Sequence, residues 1–127
     1  MTRILVIDDD QYIRSGCSKI LAKEGWTVIC AEDGDRGLKE LKSNPGTYEL
    51  ILLDQLMPGM NGMEVLGQIR VIDPKLPVII MTGSVTADSA IEIVKQGATD
   101  CIPKPFTPDE LRAIVRKAIE NRSKEKL

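Results

Sequence analysis

Residues 49–71 read ELILLDQLMPGMNGMEVLGQIRV, and the character of the chain changes twice within them. Glu49–Leu53 is apolar without alternation, the pattern of a strand covered on both faces of a parallel sheet. The Pro and Gly of the segment after Leu56 punctuate a turn. From Gly62 to Val71, apolar residues return at helical spacing, with Met63, Leu66 and Ile69 or Arg70 on one side. The stretch is therefore strand, turn, helix, with Asp54 at the end of the strand.

The same unit repeats outward in both directions. Strands are expected at Arg3–Ile7, Thr27–Ala31, Pro77–Met81 and Asp100–Ile102. Helices are expected at about 11–23, 34–41, 87–96 and from Pro108 onward. Asp10 and Asp33 are suited to cap the first two of these, and Gly25 and Gly97 to end the first and the fourth. Thr107-Pro108-Asp109-Glu110 is a capping box with proline at the first helical position. In the fourth helix, Ala87, Ala90, Ile91 and Val94 are the expected buried stripe, which leaves Ile93 as a candidate exposed apolar residue. A βα unit repeated five times implies a parallel sheet with right-handed crossovers and helices on both faces. One domain is expected over 1–120, with 121–127 as a charged tail or the start of a linker.

Composition excludes several functions. With 127 residues, 43% of them apolar, and a net charge of −2, the chain builds a core but lacks the basic balance of a nucleic-acid or membrane-surface binder. One Trp, two Tyr and one Phe make no base-stacking platform. Histidine is absent, which removes His-based metal sites, Ser–His and Cys–His pairs and any internal phosphohistidine. Cys17, Cys30 and Cys101 form neither a CxxC motif nor an even set, so disulfides and zinc are not expected and a reducing cytoplasm suits the chain. Cys17 and Cys30 are expected in the core. No leader and no bilayer-spanning stretch is expected.

In such a sheet, ligands bind beyond the carboxyl ends of the strands. Those ends carry Asp8-Asp9-Asp10, Asp54, Thr82 and Lys104-Pro105. Clustered carboxylates repel unless a cation sits among them, and the hard cation that works beside phosphate on one or two carboxylates is Mg²⁺. An aspartate is also a competent nucleophile toward phosphorus. A hydroxyl and an ammonium are the groups that would meet the charge on a transferring phosphoryl.

Four stretches then carry a family resemblance along almost the whole chain: ILVIDDD at 4–10, LLDQLMPGMNG at 52–62, IIMTGS at 79–84 and CIPKPF at 101–106. In order and spacing they resemble the receiver domain of two-component response regulators. The resemblance implies a flavodoxin-like doubly wound five-stranded sheet in order 2-1-3-4-5. It implies that Asp54 is the phosphoacceptor, that Asp9, Asp8, Asp54 and the Leu56 backbone carbonyl hold Mg²⁺, and that Thr82 and Lys104 meet the phosphoryl group. The Lys104–Pro105 bond is commonly cis in the family. Cys101 stands where the family usually has an aromatic ring or histidine that swings inward, so the signal is expected to run through Thr82 and the loop 83–86. The resemblance also implies that Leu56 and Ser84 occupy positions that tune dephosphorylation in the family.

The implied function is a phosphorylation switch rather than a conventional enzyme. A histidine kinase or phosphotransfer protein would donate. An output domain or downstream protein, or a phosphorylation-dependent second copy, would read the face of helix four, strand five and helix five. No nucleic acid and no membrane is expected as a partner of this domain. Two other readings are a haloacid-dehalogenase-like phosphatase, from Asp8-x-Asp10 at a strand end, and a receiver that binds partners without phosphorylation.

Overall fold

The computed structural model describes residues 2–83 and 86–125. The elements run β1 (Arg3–Ile7), α1 (Gln11–Ala22), β2 (Thr27–Ala31), α2 (Gly34–Ser43), β3 (Leu50–Asp54), α3 (Gly62–Ile72), β4 (Val78–Thr82), α4 (Ala87–Lys95), β5 (Asp100–Pro103) and α5 (Pro108–Glu125). All strand pairs are parallel, and the sheet order is β2-β1-β3-β4-β5, as the resemblance implies. β3 and β4 each sit one residue later than expected, so Asp54 and Thr82 are the last residues of their strands. Residues 121–125 form the last part of α5.

The period-two alternation of the strands sorts the core into two layers. Leu5, Ile7, Ile51, Leu53, Val78 and Ile80 face α2, α3 and α4. Ile4, Val6, Leu50, Leu52, Ile79 and Met81 face α1 and α5. Each such side chain contributes about 1.5–3 kcal/mol on burial, so register is strongly specified: a slip of one residue would exchange the layers.

Helix ends follow their expected caps. Asp10 accepts from the Tyr12 N–H at 2.8 Å and Asp33 from the Arg36 N–H at 2.8 Å. Thr107 and Glu110 exchange two side-chain-to-backbone bonds at 3.1 Å each.

Two expectations about the core, on Ile93 and Cys30, are corrected. In α4 the inward residue is Ile93, 4% exposed, while Ile91 and Val94 are 54% and 48% exposed. The reason lies in the turn that follows. Gly97 has φ +113°, Ala98 donates back to the Ile93 carbonyl at 3.3 Å, and both side chains enter the layer beneath α3 and α4. Cys17 is buried as expected, but Cys30 is exposed. It lies on β2, the edge strand, beside the polar flank of α1, with its sulfur 3.2 Å from Ser18 Oγ. In α3, Val65 is buried together with Leu66 and Ile69, and Met63 is only partly buried against them.

Candidate functional site

Four strand ends meet at one edge of the sheet. Asp8 follows β1, Asp54 closes β3, Thr82 closes β4 and Lys104 follows β5. Asp8 and Asp54 continue the alternation of Val6 and Leu52, so both carboxylates belong to the α1–α5 side. Asp8 is fully buried and Asp54 is 6% exposed, whereas Asp9 is exposed. Their ligand oxygens lie within 4.8 Å of one another.

Lys104 reaches across from β5 to this group. Its Nζ donates to Asp8 Oδ2 at 2.8 Å and to Asp54 Oδ1 at 3.1 Å. The Lys104–Pro105 bond is cis, and the Lys104 N–H donates to the Thr82 carbonyl at 2.7 Å. Two contacts hold the Asp8 loop. The Asp10 N–H donates to Asp8 Oδ1 at 2.9 Å, and Arg14 Nη1 donates to the Asp8 carbonyl at 2.8 Å. The loop after Asp54 is closed by Gly62, whose N–H donates to the Gln55 carbonyl at 2.9 Å. A Cβ on Gly62 would lie 2.2 Å from the Asp54 carbonyl oxygen, so α3 approaches the Asp54 backbone this closely only through glycine.

The electrostatics follow from burial. Burial pushes the Asp54 carboxyl up to about 6. The Lys104 hydrogen bond pulls against that shift, and the charge of Asp8 adds to it. Burial acts to lower the Lys104 pKa, but Asp8 and Asp54 outweigh it, and the net shift is upward. The ammonium therefore stays charged. Three carboxylates against one ammonium leave the group short of positive charge. An oxygen-rich donor set of this kind fits a hard divalent cation such as Mg²⁺. Together with Asp10, Leu56 and Gly83, these residues line an open cavity of about 290 Å³.

Thr82 is 2% exposed, and its hydroxyl donates to Gln55 Oε1 at 2.6 Å. Cys101 is half-buried at the margin of the α2–α4 layer, with its thiol pushed up by burial and by Asp100. Ser84, one of the two positions that the resemblance ties to dephosphorylation, lies outside the described residues, as does part of the loop 83–86. Two residues of the neighbourhood had no signal in the sequence, Arg14 and Gln55. A one-residue continuation of the β3–β4 register would have brought Gln55 to Thr82.

The response regulator receiver domain family matches residues 4–116. The chain belongs to that family. Receiver domains are signalling switches rather than conventional enzymes, and they use Mg²⁺ at an acidic pocket. Membership sides with the first of the functional readings over a phosphatase. The chain is similar to the DNA-binding transcriptional regulator NtrC of Salmonella typhimurium, 42% identical over 118 residues, which are 93% of this chain and 25% of that one. It thus spans about a quarter of the length of that curated relative. Among solved structures, it is similar to a response regulator receiver domain protein from Clostridium thermocellum, with TM-score 0.91, 34% identity and full coverage of both chains. It is also similar to NtrX from Brucella abortus, with TM-score 0.90 and 31% identity over 98% of this receiver and 28% of that chain. Among the described residues no helix is long and apolar enough to cross a membrane.

Proposed function

We propose that Asp54 accepts a phosphoryl group from the phosphohistidine of a histidine kinase or phosphotransfer protein, and that the change is read by an output domain or partner. The observation that carries this reading is the ammonium of Lys104 set between two buried carboxylates, Asp8 and Asp54. Nothing in the packing of the fold calls for two carboxylates and a lysine there, and phosphoryl transfer relies on such positioned charge.

In the transfer, an Asp54 oxygen forms a bond to phosphorus as the P–N bond of the donor breaks, and the departing imidazole keeps the electron pair. Asp8, Asp9, Asp54 and the Leu56 carbonyl are the groups that would hold Mg²⁺, which when bound neutralises charge on the transferring phosphoryl oxygens. Lys104 is held ready by Asp8 and stays with the phosphoryl group once Asp54 has become the acyl phosphate. The Thr82 hydroxyl donates to a phosphoryl oxygen.

Output is read on the face of α4, β5 and α5, where exposed Ile91 and Val94 support docking of an apolar partner surface, whether an attached output domain, a downstream protein or a second copy. Cys101 carries no ring to swing inward, so Thr82 and the start of α4 carry the change. A cytoplasmic location follows from the same reading, since the donor kinase domain works there.

Acetyl phosphate with Mg²⁺ tests the proposal by intact mass. A single adduct is expected that needs Mg²⁺, is lost in EDTA, is cleaved by hydroxylamine and is absent in Asp54→Ala. If neither acetyl phosphate nor beryllofluoride modifies the protein with Mg²⁺ present, a receiver that binds partners without phosphorylation replaces it.

A further inference from the structure

We infer that Gln55 is a positioning residue that holds the Thr82 hydroxyl away from the acceptor until phosphorylation, so that the Thr82–Gln55 hydrogen bond sets the threshold of the switch. The inference rests on the reading of Asp54 as phosphoacceptor, and it concerns a residue to which that reading assigns no part.

The geometry comes from strand alternation. Asp54 pairs with Met81 across β3 and β4, and the Gln55 N–H donates to the Met81 carbonyl at 3.0 Å. One residue further on, Gln55 therefore stands beside Thr82, on the side that Leu53 and Ile80 define. That side faces α2, α3 and α4. Asp54 and Asp8 continue the other side, toward α1 and α5. The hydroxyl that is to meet a phosphoryl group on Asp54 thus rests on the opposite side of the sheet edge.

A threonine hydroxyl has one proton to donate. In the resting structure that proton goes to Gln55 Oε1 at 2.6 Å, within a strand end only 2% exposed. It cannot also go to a phosphoryl oxygen. Formation of the active arrangement therefore breaks this bond, and the Gln55 carbonyl must find another donor. Whatever the bond contributes to the resting state is subtracted from the drive to the active one. A net hydrogen bond corresponds to about a 2- to 10-fold bias between the two states. A residue at this position without an acceptor would impose no such bias.

The test is a double-mutant cycle read by beryllofluoride binding with Mg²⁺. Gln55→Met keeps side-chain length and removes the strong acceptor; Gln55→Leu is a second variant of different shape. Each is measured with Thr82 present and with Thr82→Val. With Thr82 present, both Gln55 variants should bind beryllofluoride about 2- to 10-fold more tightly. In the Thr82→Val background neither should differ from its parent. A purely structural role for Gln55 would give the same change in both backgrounds, and that outcome overturns the inference, as does unchanged or weaker binding with Thr82 present.

A second measurement needs no metal. Three-bond couplings report the Thr82 χ1 populations in the metal-free protein. They should move in Gln55→Met, and unaltered couplings count against the latch. If the unaltered protein fails to take up beryllofluoride at all, the reading of Asp54 falls and takes this one with it. Normal uptake that is indifferent to Gln55 removes the latch alone.

Discussion

Gly62→Ala puts the packing under Asp54 to a direct test. The added Cβ would lie 2.2 Å from the Asp54 carbonyl oxygen, 2.8 Å from Gln55 Cα and 3.0 Å from the Asp54 carbonyl carbon. All three are backbone atoms, so no side chain can swing aside. Ordinary contact begins at 3.4 Å, so the gap must open by the difference, about 1.2 Å. Overpacking of this kind costs about 1–3 kcal/mol. The bond from the Gly62 N–H to the Gln55 carbonyl would stretch as the elements part, at a cost of about 1 kcal/mol more. The sum is about 2–4 kcal/mol, or roughly 8–16 °C in Tm at about 4 °C per kcal/mol for a chain of this size. The displaced atoms belong to Asp54 itself, and a shift near 1 Å costs about 100-fold in a positioned reaction. Urea unfolding and the rate of adduct formation with acetyl phosphate measure the two effects. A variant within about 0.5 kcal/mol of the parent, with an unchanged rate, would refute the claim that this close approach holds the acceptor.

Three further outcomes follow from the same geometry. Burial raises the Asp54 carboxyl from 3.8 to about 6; the folded state then holds its proton more tightly than the unfolded one. The stabilisation this brings is full below pH 3.8 and is lost as pH rises through about 6, up to about 3 kcal/mol at roughly 1.4 kcal/mol per unit. In EDTA, Asp54→Asn should therefore overtake the parent in stability between about pH 4 and pH 7; parallel unfolding curves would contradict this. Mg²⁺ at 100 times its Kd should stabilise the parent by about 2.7 kcal/mol, and Asp9→Asn should weaken that effect when thermal unfolding is followed against Mg²⁺ concentration. Ile93→Ala should cost about 2–5 kcal/mol as a buried truncation, while Ile91→Ala stays within about 0.5 kcal/mol; comparable losses in urea unfolding would mean that the helix faces the other way.

The strands and the site were readable together because they come from one rule. Unalternating runs such as LILL require cover on both faces, and a parallel sheet places the next residue of every such run at the same edge. Asp8, Asp54, Thr82 and Lys104 are therefore legible as neighbours although up to 96 positions apart. The facing of α4 was not legible, since Ala87, Ala90, Ile91, Ile93 and Val94 offer two overlapping stripes and the turn at Gly97 decides between them. Exposure of Cys30 depended on β2 being the edge strand, which the resemblance implied but the residue itself does not reveal. Gln55 was missed because a lone glutamine after a strand has no pattern, and only the register pairs it with Thr82. Arg14 was missed for a similar reason: its partner is a backbone carbonyl, which leaves no trace in side-chain identity.

Asp54 and Gln55 are adjacent in the chain, yet one looks toward α1 and α5 and the other toward α2, α3 and α4. The residues that pack behind each are different sets. The layer behind Asp54 and the layer behind Gln55 can therefore change separately over generations, apart from the sheet edge itself, where Gly62 and the Thr82–Gln55 bond join them. A substitution beneath α1 can retune how readily the aspartate reacts while the opposite layer keeps its shape, and a substitution beneath α4 can do the reverse. A lineage that duplicates such a domain could change what listens to it without rebuilding what writes to it.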